Sequence, residues 1–344
     1  MKKEFLARIL VILFILIAVA IPFAGQWLFS RNRINTIELH ARMPENGGWS
    51  IGRIDAVVDE PIHLRMTSDD VVHGIAIGKS DLPGVDIYPG EFVETTFVFD
   101  QPGQYTFYCT RWCGPNHWRM RGTIDVSGEG RPLQPEQQPL FVTLDIDIDS
   151  PPIAETVPTE QVSAERGANF ASLLPTYAID RTTYLSTSPA VLWMRLRAES
   201  ALFSLSDQDI WDAVAWIWQR QTTPENLENG QRLYAENCAA CHGETGKGDG
   251  VMVRNNPVWD PGNHNMDKSS GSFTGEGFVR PRDFSDPKNL LGTSPALLEG
   301  KIIRGGMGTG MPYWGPIFTS QQIENLVSYL FNFAWGFTPN ENLD

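Results

Sequence analysis

The chain opens on a run without charge, Ile9 to Ser30, with Lys2, Lys3 and Arg8 before it and Arg31 and Arg33 after it. A helix rising 1.5 Å per residue over that run is roughly 33 Å long, against a hydrocarbon core of about 30 Å, so the pattern predicts one transmembrane helix over residues 5–29. Ala18-Val19-Ala20 imitates a signal-peptide cleavage site, but the apolar run continues beyond it to Trp27, an interface-type aromatic. Basic residues flank both ends, so charge barely sets the orientation.

Residues 36–127 change to a short period. Glu94, Thr96 and Val98 would face one way and Val93, Thr95, Phe97 and Phe99 the other, as in a half-buried strand. Strands are predicted over Ile54 to Val58, Ile62 to Met66, Phe92 to Phe99, Tyr105 to Cys109 and Gly122 to Val126, punctuated by Leu82-Pro83-Gly84, Pro89-Gly90 and Pro102-Gly103. Several short strands in so short a stretch predict an all-β sandwich. Residues 128–160, rich in Pro, Gln and acids, read as a linker with one further strand, Leu140 to Ile148. Asp145, Asp147 and Asp149 imitate a calcium loop, but its glycine and closing glutamate are missing, so they read as a solvated edge.

The carboxy-terminal part turns helical. Thr319 to Phe333 places Ile323, Leu326, Val327 and Leu330 at helical spacing, and Thr319 and Gln322 form a capping box. An internal repeat accompanies it: Leu185-Ser-Thr-Ser-Pro-Ala-Val-Leu192 matches Leu291-Gly-Thr-Ser-Pro-Ala-Leu-Leu298 at six of eight positions. Downstream, Ser206, Asp209, Ile210, Val214, Trp216, Ile217 and Trp218 correspond to Thr319, Gln322, Ile323, Val327, Tyr329, Leu330 and Phe331. The interval between the blocks is seven residues shorter in the first copy, which holds no cysteine or histidine.

At 344 residues and 42% hydrophobic content the chain is long enough for two or three cored domains. Its formal net charge of −14 argues against nucleic acid as a partner and fits an acidic surface that attracts a basic protein. All four cysteines fall into two short motifs, leaving none for a structural disulfide.

The first motif is Cys109-Thr-Arg-Trp-Cys113-Gly-Pro-Asn-His117-Trp-Arg-Met120. Thiolate, imidazole and thioether are soft ligands and point to copper. A mononuclear site needs one cysteine and a second histidine, which His73 in Asp70-Val-Val-His73-Gly can supply; Cys109 is then one thiolate too many. Two bridging thiolates with one histidine per metal fit a binuclear site better, and a Cys109–Cys113 disulfide is the non-metal alternative. His40 and His63 compete with His73 but lie in no comparable motif.

From about Arg42 to Val126 the chain resembles the copper-A domain of subunit II of heme-copper oxidases, which implies a cupredoxin Greek key. The resemblance implies that Cys109 and Cys113 bridge two coppers, that His73 and His117 each bind one, and that Met120 is a weak ligand. The remaining ligand would be the backbone carbonyl of Arg111. In the larger branch of the family that position is a glutamate that also helps hold magnesium, which arginine cannot do.

The second motif is Cys238-Ala-Ala-Cys241-His242, the c-type heme attachment pattern. Cysteines three apart share one face of a helical turn, and the adjacent histidine can ligate iron. A redox dithiol or a zinc site is the alternative. The stretch resembles a class I cytochrome c, with Gly230 and Tyr234 as the packing pair of the first helix. A late methionine should complete the iron site: Arg304-Gly-Gly-Met307-Gly-Thr-Gly-Met311-Pro312 offers two, and the family's Met-Pro pairing selects Met311. Such a His/Met pair holds the potential high. Arg282 is a candidate partner for a heme propionate, whereas His264 and Met266 read as solvent-exposed.

The expected organisation is therefore multidomain: one amino-terminal span; an all-β cupredoxin sandwich over 36–127; a linker over 128–160; a cytochrome c-like helical domain without heme over 161–220; and an all-α cytochrome c domain over 224–336. A membrane-anchored copper-A domain fused to a cytochrome c looks like subunit II of a caa3-type cytochrome c oxidase. The single span and the missing glutamate look more like the smaller-subunit branch. The resemblance implies an electron-entry subunit carrying one covalent heme c and binuclear copper-A. It would face the periplasm from a bacterial cell membrane, between an external donor such as a small cytochrome c or copper protein and a heme-copper oxidase subunit I with its other membrane subunits. No oxygen-reducing centre is visible in the chain. A copper-A nitric oxide reductase subunit and a membrane-tethered electron shuttle are the alternatives. Nitrous oxide reductase would need a propeller and more than the six histidines present, and a quinol oxidase subunit would lack the copper ligands.

Overall fold

The computed structural model of the chain describes residues 36–80, 82, 84–114, 116–130, 137–151, 154–254, 280–306 and 310–336. The predicted span over 5–29 lies outside them, as do Met307, His264 and Met266. Among the described residues no helix is long and apolar enough to cross a membrane.

Among the described residues the amino-terminal domain is a two-sheet sandwich of eight strands: β1 (Thr36–Ala41), β2 (Arg53–Val57), β3 (Ile62–Ser68), β4 (His73–Ile77), β5 (Val85–Ile87), β6 (Val93–Phe97), β7 (Gly103–Tyr108) and β8 (Arg121–Ser127). One sheet runs β1-β3-β6 and the other β2-β8-β7-β4-β5. Alternation makes the sandwich: Ile54 and Ala56 of β2 point inward while Arg53, Asp55 and Val57 face out. Leu39, Leu64 and Met66 from the first sheet join Ile75, Phe107 and Ile124 from the second in one buried core. Full burial of each such side chain stabilises the fold by about 1.5–3 kcal/mol.

The structure adds three strands to those expected from the sequence, each hidden for a physical reason. β4 is buried along nearly its whole length, so its sequence shows no polar face. β5 has three residues, too few for a period, and β1 runs parallel to β3 without a hairpin turn to announce it. Within the predicted linker the expected strand Leu140 to Ile148 is corrected. Leu140–Thr143 is a short helix, α1, followed by turns. The segment folds onto a helical surface with no strand beside it: Phe141 and Ile148 pack over Gly300, the Phe141 amide donates to Glu299 at 3.3 Å, and Lys301 donates to the Ile148 carbonyl at 2.8 Å. Asp149 pairs with Arg304 at 2.8 Å.

The helical part follows as α2 (Ala164–Ala168), α3 (Arg181–Ser186), α4 (Pro189–Arg197), α5 (Asp207–Gln219), α6 (Pro224–Asn237), α7 (Ala239–His242), α8 (Val251–Arg254), α9 (Pro287–Leu290), α10 (Pro295–Arg304) and α11 (Ser320–Trp335). Ser206 and Asp209 cap α5, and Thr319 and Gln322 cap α11, with both capping boxes closed. Ser188 and Ser294, in the repeated Thr-Ser-Pro-Ala blocks, cap α4 and α10 with proline at the first helical position.

Two helix crossings are built alike. Gly230 of α6 lies against the Asn325 carbonyl and Tyr329 of α11, and Gly167 of α2 lies against the Asp212 carbonyl of α5. Asn325 and Asp212 each stand six residues past their caps, Thr319 and Ser206. A Cβ at either glycine would overlap that carbonyl, so glycine is what lets the helices touch. Helices α5, α6 and α11 share one core in which Trp211 and Trp218 of α5 pack on Trp335 of α11, each pair with ring centroids 6.4 Å apart.

Candidate metal centres

The segment between β7 and β8 carries the first motif. Cys109 ends one strand and Met120 precedes the next, their backbones joined by a Cys109 N–H to Met120 carbonyl bond of 3.0 Å. Gly114 at φ 136° and Asn116 at φ 58° reverse the chain between them and bring His117 back over Cys113. His73 reaches the loop from β4; the glycine after it has no Cβ, which would overlap the Thr110 hydroxyl, so strand and loop can meet.

The donors converge in pairs. Cys109 Sγ lies 3.7 Å from His73 Nδ1 and 3.3 Å from the Arg111 carbonyl oxygen. Cys113 Sγ lies 3.4 Å from His117 Nδ1 and 3.3 Å from Met120 Sδ. The ligand atoms of His73, Cys109 and Cys113 all sit within 4.8 Å of one another and are buried. Both cysteines are free, which rejects the disulfide alternative. His40 is tied to Asp69 and Glu38, and His63 to Thr96, so neither competes with His73.

Charge supports a cation here. The hydrogen bond from Cys113 pulls the Cys109 thiol far below the usual thiol range against the opposing effect of burial, with His117 and His73 assisting. The same bond and burial push the Cys113 thiol far above that range. A cation that binds both sulfurs must displace the proton they share. Sulfur, imidazole and thioether donors in this arrangement suit copper. Arg111, where the expected magnesium ligand is absent, instead makes a two-point ion pair with Asp86 of β5, both bonds 2.8 Å.

The second motif forms the turn of α7. The His242 amide donates to the Cys238 carbonyl at 2.9 Å, and the Tyr234 hydroxyl donates to the Gly243 carbonyl at 2.7 Å, pinning the turn to α6. Burial pushes the Cys238 thiol up to about 12 and that of Cys241 to about 11. Redox dithiols have lowered values, opposite in direction to this pair. Burial also lowers His242 to about 4, keeping it a neutral imidazole, and its buried Nδ1 has no hydrogen-bond partner.

Cys238, Cys241, His242 and Met311 line one cavity of about 700 Å³, within the range of cofactor pockets. Two thiols, an unpartnered buried imidazole and a thioether around such a space fit a heme. Arg282 lines it too. Met252 was missed in the sequence: it lines the same cavity, with Sδ 3.2 Å from Cys241 Sγ. Asp70 was also missed, although its position three residues before His73 was the available signal; it holds His73 Nε2 at 2.8 Å. The cavity wall continues into the sandwich through Tyr108, Cys109, His117, Trp118, Met120 and Arg121, so the two motifs open on one space.

Residues 46–127 match the family described as cytochrome c oxidase subunit II, periplasmic domain, and residues 227–333 match cytochrome c. Cytochrome c oxidase subunit 2 of Thermus thermophilus is 33% identical over 79 residues, 23% of this chain and 58% of that protein. The subunit 2 of Synechocystis is 35% identical over 81 residues, 24% of each chain. The chain spans about half the length of the Thermus relatives it matches. The solved periplasmic domain of subunit II of cytochrome oxidase from Bradyrhizobium japonicum shares 21% identity, over 27% of this chain and 83% of that one, with a TM-score of 0.22. The chain thus carries in succession a stretch similar to the periplasmic domain of cytochrome c oxidase subunit II, which implies copper, and a stretch similar to cytochrome c, which implies heme.

Proposed function

We propose that this chain is the electron-entry subunit of a membrane terminal oxidase, standing in a bacterial cell membrane by one amino-terminal helix with its domains on the periplasmic side. The observation that carries the reading is the single cavity lined both by the heme-attachment turn and by the copper loop. Cys238 and Cys241 would hold heme c, with His242 and Met311 as its iron ligands. Cys109, Cys113, His73, His117, Met120 and the Arg111 carbonyl would hold two coppers. When bound, these groups would supply one-electron chemistry between an external donor and subunit I. The residues of this chain set the ligand geometry, exclude water and keep the His242 imidazole neutral. A frame of strands suits that work because ligands that hardly move keep reorganisation small.

The test is the full chain matured in a heme c-forming, copper-supplied periplasm and examined by optical and electron paramagnetic resonance spectroscopy. One unpaired electron shared over two equivalent coppers, beside a low-spin c heme, is expected. Hyperfine structure from a single copper, or no copper, would overturn the binuclear assignment and leave a heme shuttle.

We infer too that residues 161–220 descend from a cytochrome c domain that lost its heme. The matching glycine crossings, Gly167 on α5 and Gly230 on α11, support this, as do the matching caps and Pro-Ala helix starts. An experimental structure in which Trp211–Trp218 fails to superpose on α11 would sink the idea.

A further inference from the structure

Tyr108 and Arg121 are the two residues that bracket the copper loop, and they face each other as cross-strand partners at the end of the β7–β8 ladder. Both side chains leave the sandwich and enter the helical domain. Tyr108 packs against the helical core and lines the shared cavity with Cys238 and Cys241. Arg121 reaches another part of the cavity lining. Its Nη1 donates to the Tyr313 carbonyl at 2.8 Å, and its guanidinium lies 4.9 Å from the Tyr313 ring centre and 5.5 Å from that of Trp314. The segment it grips is the one that carries Met311. A second tie lies just downstream: the Lys79 amide donates to the Ile317 carbonyl at 2.7 Å, where Gly78 has no Cβ to strike Pro316 and Ile317.

We propose that Tyr108 and Arg121 are docking residues that clamp the base of the copper loop onto two parts of the heme cavity lining, so that the cytochrome domain works as a docked unit and not as a swinging tether. The inference about electron transfer rests on the function proposed above; the docking itself does not. In that transfer one electron moves from ferrous iron to the oxidised copper pair, with no bond made or broken and no proton moved. A tethered domain would have to find the copper site by diffusion at each turnover. A docked one holds a fixed separation, and the rate of electron transfer falls exponentially with separation.

The experiment uses the full chain in detergent, as wild type, Arg121→Ala, Arg121→Lys and Tyr108→Ala. Hydrogen exchange on the matured full chain reads docking apart from transfer: the amides of Lys79 and of residues 313–318 should exchange faster in Arg121→Ala and Tyr108→Ala, while those of α11 stay protected. In loaded protein, photoreduction of the heme followed by copper bleaching reads transfer. The wild-type rate should not depend on solvent viscosity. In Arg121→Ala it should fall and become viscosity-dependent, with Arg121→Lys between, since lysine keeps the charge but not the planar fork. Unchanged exchange in both alanine variants, or a wild-type rate that already slows with viscosity, would overturn the proposal. Absence of a copper spectrum would instead sink the functional reading and leave the exchange result to decide docking.

Discussion

His73 donates through Nε2 to Asp70 Oδ1 at 2.8 Å, and that contact turns its Nδ1 towards Cys109 Sγ, 3.7 Å away. Asp70 is itself held by the Met43 and Val71 amides, both at 2.7 Å, and by Asn46 at 3.1 Å. Burial opposes ionisation of Asp70, but these bonds outweigh it and keep the carboxyl far below its usual range. Outer partners of this kind fix the tautomer and direction of a metal-binding imidazole. Asp70→Asn is therefore expected to weaken copper binding by about 10–100-fold in chelator competition and to leave the heme spectrum unchanged.

A second prediction separates Met311 from Met252, two of the thioethers that line the cavity. Met311→Ala should remove the sulfur-to-iron absorption band and lower the heme potential, because a His/Met pair holds it high. Met252→Ala should keep the band. If the two variants behave the other way round, Met252 is the iron ligand.

The glycine crossings give a third. Gly230→Ala and Gly167→Ala should each lower the denaturation midpoint by about 1–3 kcal/mol of overpacking, because each new methyl meets a helix carbonyl. Gly230→Ala should also reduce heme incorporation, since α6 leads directly into the attachment turn. Equal tolerance of alanine at both positions would contradict the contact geometry.

Glu299 gives a pH test. Burial raises its carboxyl above the usual value, with bonds from the Leu140 and Phe141 amides only partly opposing. The folded state then keeps this proton to higher pH than the unfolded state does, so the stability it contributes is complete at low pH and is lost as pH rises through the folded value. Over about pH 4 to 7, Glu299→Gln should lose less stability with rising pH than the wild type. Identical slopes in thermal melts would show that Glu299 ionises normally.

Much of the site was legible because ligand chemistry is local. Cys109, Cys113, His117 and Met120 occupy one loop, and Cys238 to His242 one helical turn, so spacing in the chain is nearly spacing in space. The punctuated strands 53–57, 62–68, 93–97, 103–108 and 121–127 and the capped α11 were legible for the same reason: a turn or a capping box acts on its own neighbours. What was misread depended on a distant neighbour. Leu140 to Ile148 has the composition of a strand, yet α10 offers it Glu299, Gly300 and Lys301 instead of a ladder.

By itself the sequence determined the donor sets, the strand period and the helix ends, because these follow from residue type and spacing along one segment. Only the tertiary structure decided that Asp70 orients His73, that Met252 shares the cavity with Met311, and that Tyr108 and Arg121 carry the copper loop onto the cytochrome domain. Those relationships join segments far apart in the chain. They exist because packing, which leaves few gaps larger than a water molecule, chooses which distant surfaces meet.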